Sequence, residues 1–430
     1  MESIYDIIVI GGGAAGIIAA IQAGRLGIQT LLVEKQGIAG GTLVTSGIPT
    51  PASFHAYDKQ IIAGIGWEIC CRTQEETGEH VPVPRTVVER EGGTVHFGLR
   101  PAVFAAIADE MLLEAGVDIL FHAMPASVEA DSSGWNLQLC TKTGFRDVRA
   151  GRIIDCTGDA NVVKLAGFKL RKNPEIQAAT LVVRASGYQA ESLDYETIQK
   201  AFEEEVSDGC MRSSDPGWMS GRFDFFLKNY GGNRIHIPNL PAATSEEKTR
   251  VELEGRKAML RILRFCRKQP GLENFTIDYC APECGIRETV TIKGKKKISI
   301  KDYESGRLWE DAVSYSFYML GIHRNNQIVS RNIKQGIYPT IPLGAMLPAD
   351  SERIIVAGRC IAGDQEANSA YRIQASCMAM GQAAGAAAAL ALRLNTDFEA
   401  VPIEDLRTTL RQHRAIVPPD LTYKKVYEKD

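Results

Sequence analysis

The run Ile4-Tyr5-Asp6-Ile7-Ile8-Val9-Ile10 passes without a break into Gly11-Gly12-Gly13-Ala14-Ala15-Gly16. With 40 glycines in 430 residues, an isolated G-x-G-x-x-G would carry little weight. Here its flanks are also filled. A β-branched strand precedes the glycines, and an Ala-rich helical stretch follows from Ala14 to Leu26. Ala20 is small enough for close strand–helix packing, and Gly27 can end the helix in a left-handed conformation. A second strand, Ile28 to Val33, then ends in Glu34. Each position has a physical task in a dinucleotide-binding β-α-β unit: Gly11 turns the chain, Gly13 admits a pyrophosphate, and Gly16 lets helix and sheet approach. The helix N-terminus favours phosphate charge. Glu34 is placed to accept ribose hydroxyls, which argues against a 2′-phosphate.

The chain is long enough to bury a large core and to form two or three domains. Its 49 basic and 52 acidic residues nearly cancel, leaving a net charge of −3. That balance gives no electrostatic case for nucleic acid or an anionic membrane. Lys293 to Lys297 is a short basic run, read as a solvated hairpin or loop tip. The ten cysteines include no C-x-x-C pair, so reduced thiols and no metal are expected. A strand starting at about residue 4 leaves no room for a secretory leader, and Ala383–Leu394 is too short to span a bilayer. A cytoplasmic location is the expectation.

Beyond Glu34, the Gly/Ser/Thr/Pro-rich segment 37–51 suits a loop lying along a ligand. Pro101 opens a helix stopped by Gly116, and Val117 to His122 reads as a third parallel strand. Residues 126–130 and 136–140 alternate like antiparallel strands around Ser133-Gly134, and Arg152–Cys156 returns as a short strand. A capping box, Thr244 to Glu247, starts a long helix with one apolar face. No second dinucleotide fingerprint occurs between 171 and 340, so a separate nicotinamide domain is not expected. Arg353–Ala357 is again a buried strand, and a small-residue helix follows from Ser376. These elements predict an α/β chain: a Rossmann-like domain with a central parallel sheet plus an antiparallel β-meander, and an inserted mixed α+β cap. The boundaries are 1–170 and 341–398 for the two parts of the nucleotide domain, 171–340 for the insert, and 399–430 for a C-terminal helix and tail.

The chain resembles FAD-dependent oxidoreductases of the glutathione-reductase superfamily, on the branch related to fumarate reductase flavoproteins. The likeness rests on Gly11-x-Gly13-x-x-Gly16 with Glu34, Asp155-Cys156-Thr157-Gly158-Asp159 and Gly285-Ile286-Arg287-Glu288-Thr289. It continues through Ile341-Pro342-Leu343, Val356 to Cys360 and Cys377 to Gly385. It implies FAD held at Gly11, Gly13, Ala14, Ala15 and Gly16, with Glu34 and Lys35 at the ribose. Gly41 and Thr42 would meet the pyrophosphate or flavin side, and Val128 the adenine. Thr157, Gly158 and Asp159 would close over the ribose–phosphate face, with Gly358 and Arg359 near the ribityl chain. A helix beginning near Met378, with Gly381, Gln382 and Ala383, would aim its N–H groups at the flavin. The dicarboxylate-gripping pattern of fumarate reductases and the cysteine clusters of iron–sulfur-linked relatives are not recognisable.

His323, Arg287 and Arg372 are the candidate catalytic residues. His323 could take a proton as hydride leaves a substrate. Arg287 could hold a carboxylate through its bidentate fork, or pair internally with Glu288. Arg372 could touch cofactor or substrate, and Tyr371 is read as packing. His55 reads as part of a solvated loop, with a lid residue or a covalent flavin anchor as alternatives. The expected function is hydride transfer between FAD and a small organic substrate at the domain interface. Alternatives are an electron-transfer subunit needing a redox partner protein, and a biosynthetic role without redox use of the flavin. A homo-oligomer is left open.

Overall fold

The computed structural model describes residues 3–80, 96–132, 134–218, 221–324 and 327–420. Strand β1 (Ser3–Ile10) lies at the centre of a seven-stranded sheet and leads into helix α1 (Ala14–Arg25). Strands β2 (Thr30–Glu34) and β3 (Asp118–Phe121) add to one side of β1 in parallel. On the far side a meander of β4 (Met124–Ala130), β5 (Trp135–Thr141) and β6 (Gly144–Asp155) returns to β1. The parallel strands are near-continuous apolar runs because both faces are covered; all five residues of β2 are buried.

The expected short strand at Arg152 is the end of this much longer β6. Its first part alternates in burial and pairs antiparallel with β5, while Ile153–Asp155 pairs in parallel with Ile354–Val356. Ile10 stands opposite both Val33 and Asp155, so three strands end level beneath the glycine turn. Ser133, expected in the turn of the meander, lies outside the described residues.

Residues 179–284 build a core of their own. Strand β7 (Ala179–Ser186) is flanked antiparallel by β8 (Gly231–Ile237) and by β9 (Thr276–Cys280). Helix α2 (Ser245–Cys266) packs Val251, Ala258, Ile262 and Phe265 into this core. Its start is capped as its sequence indicates: Thr244 Oγ1 accepts from the Glu247 N–H at 3.2 Å, and Glu247 accepts from the Ala243 N–H at 2.8 Å. Two apolar clusters result. The second draws its buried residues from Ala179 to Cys284, whereas those from Ile292 to Leu347 join the first. The expected insert, 171–340, is thus shared between two cores.

Helix α3 (Gln374–Arg393) lies against α1. A Cβ on Gly381 would sit 2.1 Å from the Ala15 carbonyl, and one on Gly385 2.3 Å from that of Ala19. Even alanine there would force the helices apart, at a cost of about 1–3 kcal/mol. This helix is longer than the Ala383–Leu394 segment considered above and passes the length and hydropathy of a membrane span, yet 83% of that window is buried. Helix α4 (Ile403–Gln412) follows, and residues 421–430 of the expected tail lie outside the described residues.

Two local expectations need correction. His55 is no solvated loop residue: it is 2% exposed in a two-residue strand, its ring 5.4 Å from that of Trp67. The Lys293–Lys297 run forms no free basic tip either. Lys296 pairs with Asp311 at 2.7 Å and Lys295 with Glu399, and Ser299 then caps a short helix, Ile300–Ser305.

Candidate active site

One cavity of about 1440 Å³ joins the carboxyl ends of the parallel strands to the face of the insert. Gly11 opens it, with φ +101°, and any Cβ there would sit 2.5 Å from the Cys156 carbonyl. Gly16 is tighter still, since its Cβ would lie 1.8 Å from the Gly11 carbonyl. Gly13 differs. The nearest atom to its Cβ position is the Gly41 Cα at 4.0 Å, so the space above it is open. No side chain caps α1 and no acidic residue occupies its first turn, while Gly13, Ala14 and Ala15 all line the cavity. A helix terminus with free N–H donors and open space above it fits a pyrophosphate.

Glu34, 7% exposed, anchors the next stretch of wall. Its carboxylate accepts from the Gly12 N–H at 2.6 Å and the Gln36 N–H at 2.8 Å. Burial raises its pKa while these two bonds lower it. Lys35, half-exposed, pairs with Glu283 at 3.4 Å, and both line the cavity. Gly41 and Thr42 line the cavity from the loop after β2.

Asp155, fully buried, organises the opposite wall. It accepts from the Thr157 hydroxyl and N–H at 2.7 and 3.0 Å, and from the Val162 and Val163 N–H groups. This fixes the Thr157–Asp159 turn. Arg359 then bridges that turn to the insert, donating to the Gly158 carbonyl at 2.8 Å, to the Ile286 carbonyl, and to Asp159. Gly358 lines the cavity beside it.

A third stretch carries the substrate candidates. Arg287 is 8% exposed and donates to the Ala178 carbonyl at 2.7 Å; Arg372 reaches Gln177 Oε1 at 3.4 Å. Neither guanidinium forms an ion pair among the described residues, although the nearby Glu288 carboxylate supports the charge on Arg372. Burial, reinforced by the neighbouring Arg372, holds Arg287 down at about 9, and burial holds Arg372 at about 10. The expected Arg287–Glu288 pair does not form. Glu288 is engaged by Asn173, by the Gln177 N–H and by Gln365 instead. His323 lines the same cavity, and its buried Nδ1 has no hydrogen-bond partner. Burial, then Arg287, Arg372 and His236, push its pKa far below the ordinary histidine range.

The structure therefore brings together Gly11, Gly13, Ala14, Ala15, Glu34, Lys35, Gly41, Thr42, Thr157, Gly158, Asp159, Arg287, His323, Gly358, Arg359 and Arg372 on one cavity wall. Gly16 lies just behind it. Val128, Met378, Gly381, Gln382 and Ala383 are not on that wall. At β4 the wall is Ala123, Met124 and Pro125, after which the strand register shifts. Helix α3 begins at Gln374 rather than near Met378, so Ile373, Gln374 and Cys377 face the cavity. Gln382 ties elements together, donating to Gln22 and the His413 carbonyl and accepting from the Ile65 N–H. Sequence reading missed Trp218, Tyr318 and His96, which line the cavity from separate segments.

Comparison with known proteins gives a family and short local matches. A family model described as FAD dependent oxidoreductase matches residues 6–410. Dihydrolipoyl dehydrogenase of Trypanosoma brucei brucei is 51% identical over 53 residues, 12% of this chain and 11% of that protein. Leghemoglobin reductase of Glycine max is 48% identical over 52 residues, 12% of this chain and 10% of that protein. The chain thus matches about a tenth of the length of these curated relatives. Among solved structures, a geranylgeranyl bacteriochlorophyll reductase-like protein from Thermoplasma acidophilum aligns with a TM-score of 0.47 and 13% identity, over 96% of this chain and 83% of that one. A p-nitrophenol 4-monooxygenase from Pseudomonas putida aligns at 0.40 and 12%, over 96% and 85%.

Proposed function

The chain belongs to the FAD dependent oxidoreductase family, and from that premise we propose that it exchanges hydride between FAD and a small organic anion held between its two cores. FAD is its cofactor, and bound FAD supplies the two-electron chemistry. On this reading the residues at the cavity fit the group. Gly11, Gly13, Ala14, Ala15 and Gly16 cradle the pyrophosphate, with Gly41 and Thr42 opposite. Glu34 takes the ribose, Ala123 to Pro125 the adenine, and Thr157 to Asp159 with Gly358 and Arg359 the remaining wall. The cofactor part comprises 1–170 with the chain beyond 341, and the insert carries the substrate side. We place the chain in the glutathione-reductase superfamily, on the branch related to fumarate reductase flavoproteins.

The substrate assignment is carried by Arg287, buried, and Arg372, part-buried: both line the cavity and neither forms an ion pair among the described residues, with Glu288 offsetting only part of the charge on Arg372. Desolvated charge of one sign is costly unless an opposite charge arrives. A substrate carboxylate would supply it and accept the planar forks. His323 is then the proton-exchanging group. Neutral in the empty site, it is held so in part by the two guanidiniums, and an anion that offsets them raises its affinity for a proton. Titrating the purified holoprotein with simple carboxylates, read by flavin absorbance, tests the assignment. Saturable perturbation by carboxylates but not by matching amides supports it; indifference to charge rejects it.

A further inference from the structure

We propose that the anion is an aromatic carboxylic acid, and that Trp218 is the residue that selects the ring. The inference rests on the reading of Arg287 and Arg372 as a carboxylate grip, and extends it to the rest of the molecule bound there. The wall around those arginines is built of rings. Tyr318 and His323 line the same cavity as both guanidiniums; Tyr318 acts on the charge of each, and each in turn acts on His323. From His323 the wall continues to Trp218, ring centroids 6.1 Å apart and planes at 84°. From Tyr318 it continues to His96, at 5.8 Å and 64°. Two edge-to-face ring pairs thus line the cavity that holds the guanidiniums, offering both edges and faces to a flat ligand.

Trp218 is held for this role. The Arg234 guanidinium lies 5.5 Å from its ring centre and 4.0 Å from that of Phe225, and the Phe225 ring meets the indole edge-on at 6.1 Å. Arg234 has its charge spread over two aromatic faces, which leaves the carboxylate to Arg287 and Arg372. Space is sufficient as well. At about 1440 Å³ the cavity exceeds the roughly 300–1,000 Å³ of an ordinary small-molecule pocket, so a cofactor and a ring-sized substrate can share it. A saturated acid would satisfy the guanidiniums equally but would gain none of the ring–ring contacts.

The test compares benzoate, cyclohexanecarboxylate and benzamide on the holoprotein, by calorimetric titration and by flavin absorbance. Benzoate is expected to bind ~10-fold or more tightly than cyclohexanecarboxylate, since several aromatic contacts contribute. Trp218→Leu should bring that ratio close to one while leaving cyclohexanecarboxylate affinity within a few-fold, and Arg287→Gln should weaken both acids alike. Equal wild-type affinities for the two acids, or an undiminished ratio in Trp218→Leu, would overturn the aromatic assignment and leave the carboxylate grip standing. Benzamide binding as tightly as benzoate would overturn the grip itself. The wild-type comparison decides the question even if a variant does not fold.

Discussion

Arg287 and His323 are held through the same residue. The Ala178 carbonyl accepts from Arg287 Nη1 at 2.7 Å, and the Ala178 N–H donates to the His323 carbonyl at 3.1 Å. Ala178 immediately precedes β7, so the entry to this strand positions both the proposed anion grip and the proposed proton-exchanging group. Both bonds use main-chain atoms of Ala178.

Arg287→Lys should therefore damage binding more than chemistry. Lysine keeps the charge but cannot present a fork to a carboxylate and to the Ala178 carbonyl together. The expected result is a ~10–100-fold rise in KM or carboxylate Kd, with kcat within a few-fold and FAD retained. Loss of flavin from this variant would assign Arg287 to the scaffold.

Gly13 and Gly16 of the fingerprint should fail differently. Gly13→Val has room in the protein itself, since only the Gly41 Cα comes within 4.0 Å of the added carbon. It should fold, by circular dichroism and a cooperative melt, yet purify without the flavin absorbance band because the branched side chain fills the cradle. Gly16→Val places carbon 1.8 Å from the Gly11 carbonyl and should yield little folded protein. Normal flavin content in Gly13→Val would refute the cradle.

His323→Ala should lower turnover ~10²–10⁴-fold while leaving FAD bound, as removal of a general acid–base does. Because burial and two guanidiniums keep the free imidazole neutral, the kcat/KM profile of the wild type should show no histidine step between about pH 5 and 8. Unchanged turnover in the variant would remove His323 from the chemistry.

His55 gives a prediction about stability. Burial lowers its pKa to about 4 from the ordinary 6.5. The unfolded chain thus takes up a proton before the folded one, and stability falls as pH drops from 6.5 towards 4. Its contribution is complete above that window and lost below it, about 3 kcal/mol in all. His55→Phe, which suits the neighbouring Phe54 and Trp67 rings, should flatten this part of the pH–stability curve in urea titrations. An identical slope in variant and wild type would show that His55 titrates normally.

The glycine turn, the strands beside it and α2 were legible because each is written in neighbouring residues: a β-branched run, an Ala-rich stretch, a capping threonine. Arg287 was recognisable as a candidate carboxylate ligand from its chemistry, and it lines the cavity. Its freedom from Glu288 was not, because Glu288 is drawn away by Asn173, Gln177 and Gln365, which no spacing rule links to it. The start of α3 was misplaced because Ile373, its cap, offers no side-chain acceptor. Val128 does not line the cavity, whose wall there is Ala123 to Pro125, ahead of the register shift between Pro125 and Ser127. Trp218, Tyr318 and His96 come from distant segments and share a cavity only in the folded chain, so no local pattern marks them.

Strand β6 has a consequence for the order in which the molecule can be made. One of its edges is divided between a near neighbour, β5, and a distant one, Ile354–Val356. On a ribosome the first half of that edge is covered at once. The half beside Ile153–Asp155 waits until the whole insert has been synthesised. The insert, closing its core from residues 179–284, can thus be folded before its host sheet is finished. Pairing across so long a stretch of chain is slow, so nascent chains stalled before residue 354 would carry a folded insert beside an open edge in the cofactor part.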